Sequence, residues 1–143
     1  MFKLYNFRTM YPDVDHVRLT SRADTRVTRL GKMLRKYRID ELPQLFNVLK
    51  GEMSLIGPRP VPESHYSLYL EKIPGYDLRH LIKPGITGLA QVRLGYTCTL
   101  EGESQKLKYD LDYMLRAGFL LDLHIIIQTL MLTFNKENKK LVK

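Results

Sequence analysis

"TRLGKMLRKYRIDELPQLFNVLKGEMSLIGPRP", residues 28–60, carries most of the fold reading of this chain. Leu30, Met33, Leu34 and Tyr37 recur at helical spacing behind Thr28, whose hydroxyl suits an N-cap. The other face is basic, with Arg29, Lys32, Arg35, Lys36 and Arg38. The period restarts in "DELPQLFNVLKG", where Leu42, Leu45, Phe46 and Leu49 share one stripe and Gly51 is a C-terminal stop. Pro43 is tolerated only in a first turn, whose N–H groups are unpaired anyway, so the second helix is predicted to start near Asp40. "MSLIGPRPVP" then reads as a short apolar strand or turn that runs into a proline-stiffened loop.

Outward from this stretch the chain alternates helix and turn. "FKLYNFRTM", residues 2–10, alternates like an interior strand with Phe2, Leu4 and Phe7 on its apolar side. A strand with no preamble leads us to expect a fragment whose upstream part is missing. Residues 11–24 read as loop. "ESHYSLYLEKI", residues 63–73, is predicted helical and closed by Pro74-Gly75, and "KPGITGLAQV" joins a Pro-Gly turn to a brief strand-like end. A helix is predicted over 103–116 on Leu107, Leu111, Met114 and Leu115, ending at Gly118. A last helix covers 120–134, and the Lys-rich tail 135–143 is expected to fray. The sum is one mainly helical α+β domain over residues 1–143.

Composition narrows the function. At 143 residues, with 44% hydrophobic and 27% charged residues, the chain has the make-up of one globular domain. A formal charge of +8 favours an anionic partner: nucleic acid, an acidic membrane surface or phosphorylated substrates. Cys98 is the single cysteine, so no intrachain disulfide forms. The N-terminus lacks the pattern of a signal peptide. The most apolar run, "LHIIIQTLMLTF" over 123–134, is too short to span a bilayer, which needs about 20 residues. A buried or interfacial helix is the better reading. His16, His65, His80 and His124 are scattered without metal-ligand spacing, and neither a Walker loop nor a Rossmann glycine fingerprint is present.

The chemistry concentrates at Asp40-Glu41 and Arg59. An acidic pair at a helix start is ordinarily a cap favoured by the dipole. Here the pair follows a basic helix, so the nearby cations are expected to hold the Asp40 carboxylate ionised. An ionised aspartate can attack phosphorus or ligate magnesium. Arg59 sits between Pro58 and Pro60, which lowers the entropy cost of presenting a guanidinium to phosphate. The residues alone point to a site for a phosphorylated substrate, with a divalent cation as a further option.

Three blocks carry a resemblance: "RVTRLGKMLRKYRIDELPQLFNVLKGEMSLIGPRP", then "LIKPGITGLAQV", then "KYDLDYMLRAGFLLDLHIIIQTL". In order and spacing they resemble the bacterial sugar transferase family, the monotopic phosphoglycosyl transferases or polyprenyl-phosphate hexose-1-phosphate transferases. "QVRLGYTCTLEGESQKLKYDLDY" is most similar to the exopolysaccharide-biosynthesis branch. The resemblance implies transfer of a sugar 1-phosphate from a nucleotide-diphosphate sugar, usually a UDP-sugar, to polyprenyl phosphate. It makes Asp40 the nucleophile and, with Glu41, a Mg²⁺ ligand. It makes Arg35 and Arg59 phosphate-binding, and Asp110, Lys83 and Gln91 supporting residues. It also implies an anionic membrane surface at the cytoplasmic face of the bacterial inner membrane.

Members ordinarily carry a re-entrant membrane helix ahead of the first strand, and we expect it to belong to the missing upstream part. Asn6 and Ala90 stand where many of them carry lysine and tryptophan. Two other readings stand beside the enzyme. One is a silent remnant that binds donor or scaffolds. The other is a nucleic-acid binder resting on the basic face and net charge alone, and nucleic acid is not among the implied partners.

Overall fold

The computed structural model describes residues 2–11, 25–95 and 99–134. The loop read at 12–24, with His16, lies outside these residues, as do Cys98 and the basic tail. Helix α1 (Arg29–Lys36) starts where the capping residue places it, with Thr28 Oγ1 accepting from the Gly31 amide at 2.8 Å. Its buried residue is Gly31, not the apolar stripe. A Cβ there would lie 2.1 Å from the Thr9 carbonyl oxygen, so α1 and the N-terminal segment touch backbone to backbone. Leu30, Met33 and Tyr37 are exposed.

The single helix predicted from Asp40 is two pieces. Ile39–Glu41 form a 3-10 turn and α2 (Gln44–Leu49) follows, ending before Gly51 at φ 75°. Around Pro43, which donates no bond, the amides of Leu42, Leu45 and Phe46 bond back three residues, to Ile39, Leu42 and Pro43, and this tighter winding separates the two pieces.

The N-terminal strand is a second correction. Residues 2–11 are extended, but an isolated antiparallel bridge, Met10 to Val27, is their only ladder pairing among the described residues. Side chains of α2 stand in for a sheet partner. Asn47 accepts from the Tyr5 amide at 3.1 Å and donates to the Lys3 carbonyl at 2.8 Å. The Phe7 amide donates to the Asp40 carbonyl at 3.0 Å. Polar Asn47 therefore takes the buried face of α2, because a backbone without a ladder must be satisfied by something, and Gln44 is buried beside it with its Nε2 donating to Asn6 Oδ1. Leu42, Leu45, Phe46 and Leu49, together with Phe7, face outward.

The second half is built on two short parallel strands, β1 (Ser54–Ile56) and β2 (Gly85–Thr87), with Ser54 opposite Gly85 and Ile56 opposite Thr87. Their crossover holds α3 (Glu63–Lys72) and a 3-10 helix, Tyr76–Leu81. The strand-like end read in "KPGITGLAQV" continues as a helix, α4 (Leu89–Leu94), which packs on α5 (Leu100–Arg116) and α6 (Phe119–Phe134). The chain is mainly helical with a small sheet, as the sequence implied.

Ile56, Leu89, Tyr113 and Ile125 form one core cluster, and Tyr69, Ile73, Tyr76 and Leu107 the other. Helix α5 contributes to both. In α6 only Ile125 is fully buried, while Leu120, Leu123, Ile126, Leu130, Met131 and Phe134 are exposed. No helix among the described residues is long and apolar enough to cross a membrane.

Candidate active site

Three segments converge on the acidic pair. Between α1 and the 3-10 turn the chain passes through Arg38 at φ 54°, the one non-glycine residue with positive φ among those described. Left-handed backbone at an arginine costs about 1 kcal/mol, and this is the joint that sets the direction of Asp40 and Glu41. From beneath, the N-terminal segment holds the unit together: Thr9 Oγ1 accepts from Arg35 Nε at 2.9 Å, and Asn6 Oδ1 accepts from Gln44 Nε2 at 2.8 Å. From the other side comes the loop after β1. Its root is a contact of bare backbones, since a Cβ on Gly57 would lie 2.5 Å from the Lys83 carbonyl and one on Gly88 would lie 2.2 Å from the Gly57 carbonyl. Gly57 donates to Thr87 O and Gly85 to Pro58 O, each at 2.9 Å.

At the tip of that loop Arg59 forms an ion pair with Glu41. Asp40, partly buried, lies within the fields of Arg35 and Arg59. The sequence led us to expect a carboxylate held ionised by these cations. The structure reverses that direction: burial pushes the Asp40 carboxyl above its ordinary value, and the like charge of Glu41 adds to it. The Asp40 backbone hydrogen bond and the two arginines pull it only part of the way back. The bland alternative, Asp40 as a cap, does not hold either, since it lies inside the 3-10 turn and α2 is preceded by Pro43.

The supporting residues are dispersed. Asp110 is buried in α5 and reaches the Arg59 loop through Arg79. Gln91 is buried in α4, where its Nε2 donates to the Ile86 carbonyl at 2.9 Å, a role in holding the β2–α4 corner. Lys83 lines an apolar groove between α2, β1 and α6, with Val48, Met53, Phe119 and Ile126. None of Arg35, Asp40, Glu41 or Arg59 lines that groove. Asp122 accepts from the Tyr113 hydroxyl at 2.8 Å, and Tyr113 is core, so both are packing residues here.

Sequence reasoning missed Arg79. It is 3% exposed, donates to Tyr76 Oη and to the Arg59 carbonyl, and lies 2.9 Å from Asp110 Oδ2 and 3.9 Å from Glu103 Oε2. A lone arginine in "YDLRHL" carries no pattern of its own; the signal sits in the acids of a distant helix.

A model of the family described as bacterial sugar transferase matches residues 1–136. A UDP-glucose:undecaprenyl-phosphate glucose-1-phosphate transferase of Klebsiella pneumoniae is 48% identical over 131 residues, 89% of this chain and 28% of that protein. A UDP-N-acetylgalactosamine-undecaprenyl-phosphate N-acetylgalactosaminephosphotransferase of Aeromonas hydrophila is 43% identical over 131 residues, 90% of this chain and 31% of its own length. An uncharacterized sugar transferase of Bacillus subtilis, EpsL, is 43% identical over 128 residues, 90% of this chain and 60% of that protein. The chain thus spans under a third of the first two relatives, and the match runs through the Asp-Glu turn, the Arg59 loop and the helices behind them. By this correspondence the chain belongs to the bacterial sugar transferase family.

Proposed function

We propose that this domain transfers a sugar 1-phosphate from a UDP-sugar to a polyprenyl phosphate through a covalent intermediate on Asp40. One observation carries the reading. A carboxylate able to attack phosphorus lies within the fields of two arginines, one of them on a proline-flanked loop and already bonded to the neighbouring Glu41. The names of the relatives support the substrate class: UDP-glucose for one, UDP-N-acetylgalactosamine for another, and undecaprenyl phosphate as acceptor for both.

In the first step an Asp40 carboxylate oxygen attacks the sugar-linked phosphorus, and the bond from that phosphorus to the bridging oxygen breaks. UMP leaves with the electron pair. In the second step an oxygen of the lipid phosphate attacks the same phosphorus, the aspartyl–phosphorus bond breaks, and Asp40 returns as carboxylate. An anion attacking a diphosphate needs positive charge placed in advance, and Arg35 and Arg59 supply it. Arg59 must exchange part of its contact with Glu41 for donor phosphate. The raised Asp40 carboxyl makes the first step fail on the acid side above the pH of an ordinary aspartate.

The donor set fits a hard divalent cation such as Mg²⁺, since Asp40 and Glu41 offer adjacent carboxylates whose like charges raise Asp40. Asp40 and Glu41 would hold the ion, which would neutralise charge on the donor diphosphate. The outward apolar surface of α2 and α6, with the chain's net charge of +8, suits an anionic membrane surface, which we assign to the cytoplasmic face of the bacterial inner membrane.

The test is UMP release and intact-protein mass after mixing the chain with Mg²⁺ and a panel of UDP-sugars. Release with a phosphosugar adduct, both abolished by Asp40→Asn, is the expected result. Adduct formation that survives Asp40→Asn would overturn the assignment of the nucleophile. Silence across the panel would overturn the activity of this chain.

A further inference from the structure

We propose that Arg79 is a positioning residue for this site: caged by acids on α5, it grips the Arg59 carbonyl and so fixes where the Arg59 guanidinium stands. The inference deepens the transferase reading, and its activity readout rests on that reading.

The loop that carries Arg59 has few backbone amides to donate. Pro58 and Pro60 have no N–H to donate. The upstream end is pinned by the Gly57–Thr87 and Gly85–Pro58 bonds, and the downstream end by the amides of His65 and Tyr66, which donate to the Pro62 carbonyl at the start of α3. The Arg59 carbonyl lies between these anchors, and Arg79 Nη2 donates to it at 3.1 Å. Arg79 in turn is fixed from every side. Asp110 and Glu103 balance its charge, Tyr76 Oη takes its other arm, and the Tyr76 ring lies 4.9 Å from its guanidinium carbon. Lys106 pairs with Glu103, and Tyr76 donates to Glu103 Oε2 at 3.1 Å.

Arg79 Nη2 is 2.9 Å from Asp110 Oδ2 and 3.1 Å from the Arg59 carbonyl oxygen, so one nitrogen meets both the acid and the loop. The acid supplies the counter-charge at one side of that nitrogen, and the loop carbonyl takes a bond from it at the other. A guanidinium needs only its acids to be neutral in the interior; the further bond to the carbonyl couples α5 to the residue that meets Glu41. The path runs from Asp110 to Arg79, to the Arg59 backbone, to the Arg59 guanidinium, to Glu41 beside Asp40.

The test is a double-mutant cycle of Arg59→Lys and Arg79→Lys, read as donor-dependent UMP release. Lysine keeps the charge in the cage but cannot serve the carbonyl and the acids together. Arg79→Lys is expected to lower kcat/KM about 10- to 100-fold, mainly through KM for the UDP-sugar. Adding it to Arg59→Lys is expected to cost little more, because the residue it positions is already gone. Losses that multiply would overturn the proposal and leave Arg79 as scaffold.

A second readout needs no turnover: the Arg59 Nε–H resonance in a nitrogen-proton NMR spectrum. It is expected to move in Arg79→Lys while the Gly31 amide, under the Thr28 cap, stays in place. An unmoved Arg59 resonance would overturn the proposal. Should Arg79→Lys fail to fold, Asp110→Asn loosens the same cage and enters the same cycle and spectrum. Should the native chain release no UMP from any donor, the transferase reading fails and the spectrum alone decides this one.

Discussion

Arg59 and Arg79 both pair with a carboxylate and are joined through one hydrogen bond, yet their settings are opposite. The Arg59 side chain is 41% exposed and that of Glu41 16%, whereas Arg79 and Asp110 are 3% and 2% exposed. The outer pair has water at hand to replace either partner, so a substrate phosphate can take the arginine without leaving a charge stranded. The inner pair has nothing to replace it. Burial forces its charges to balance and holds its geometry through any exchange at the surface. One pair is suited to chemistry because it is weak, and the other to positioning because it cannot let go.

The largest expected effect breaks the inner pair. Arg79→Met leaves Asp110 buried without its paired cation, while Glu103 keeps Lys106, and we expect a loss of about 3–5 kcal/mol in urea unfolding. A loss below about 1 kcal/mol would show that the acids simply take up protons and that the cage has no grip on the fold.

Next in size is a pH effect confined to the same cage. Burial is the main cause that raises the Asp110 carboxyl from 3.8 to about 6; the nearby Arg79 opposes it and Glu103 adds to it. Between these values the folded state binds the proton more tightly than the unfolded chain. That contribution to stability is fully present below about pH 4 and is lost as pH rises through 6, amounting to at most about 3 kcal/mol. Urea midpoints of the native chain and Asp110→Asn should therefore shift relative to one another in favour of the variant between pH 4 and pH 7. Parallel curves would place the Asp110 titration outside this window.

The same contrast explains how far the sequence could be read. Local signals were legible: the Thr28 cap, the Gly51 stop, the strand before "GPRP" and the long helix through Leu107 each follow from neighbouring residues. Asp40, Glu41 and Arg59 could be associated because chemistry and rigid prolines marked them. What periodicity could not tell was which face turns inward. In α2 the leucines form the better stripe, yet Gln44 and Asn47 are buried, Asn47 against the backbone and Gln44 against the Asn6 side chain of an extended segment far along the chain. The direction of the Asp40 shift was misjudged for a related reason. Nearby cations are visible in the sequence, but the burial that outweighs them is made by tertiary contact. Arg79 is the limiting case, since nothing adjacent to it hints at the cage.

The smallest stability effect belongs to the outer pair, and it sharpens the comparison most. Glu41→Gln removes the ion pair with Arg59 at a site where solvent can take over, so the expected loss is below about 1 kcal/mol and a melting shift within about 4 °C, shrinking further in salt. UMP release should nevertheless fall at least about tenfold, because position 41 then neither holds the Arg59 guanidinium by charge nor offers a second carboxylate to the cation. A variant that melts like the native chain but transfers poorly would separate holding the fold from holding the substrate. A Glu41→Gln chain destabilised as much as Arg79→Met would erase that distinction, since the outer pair would then be as structural as the inner one. Full activity in Glu41→Gln would instead show that the placement of Arg59 does not depend on Glu41.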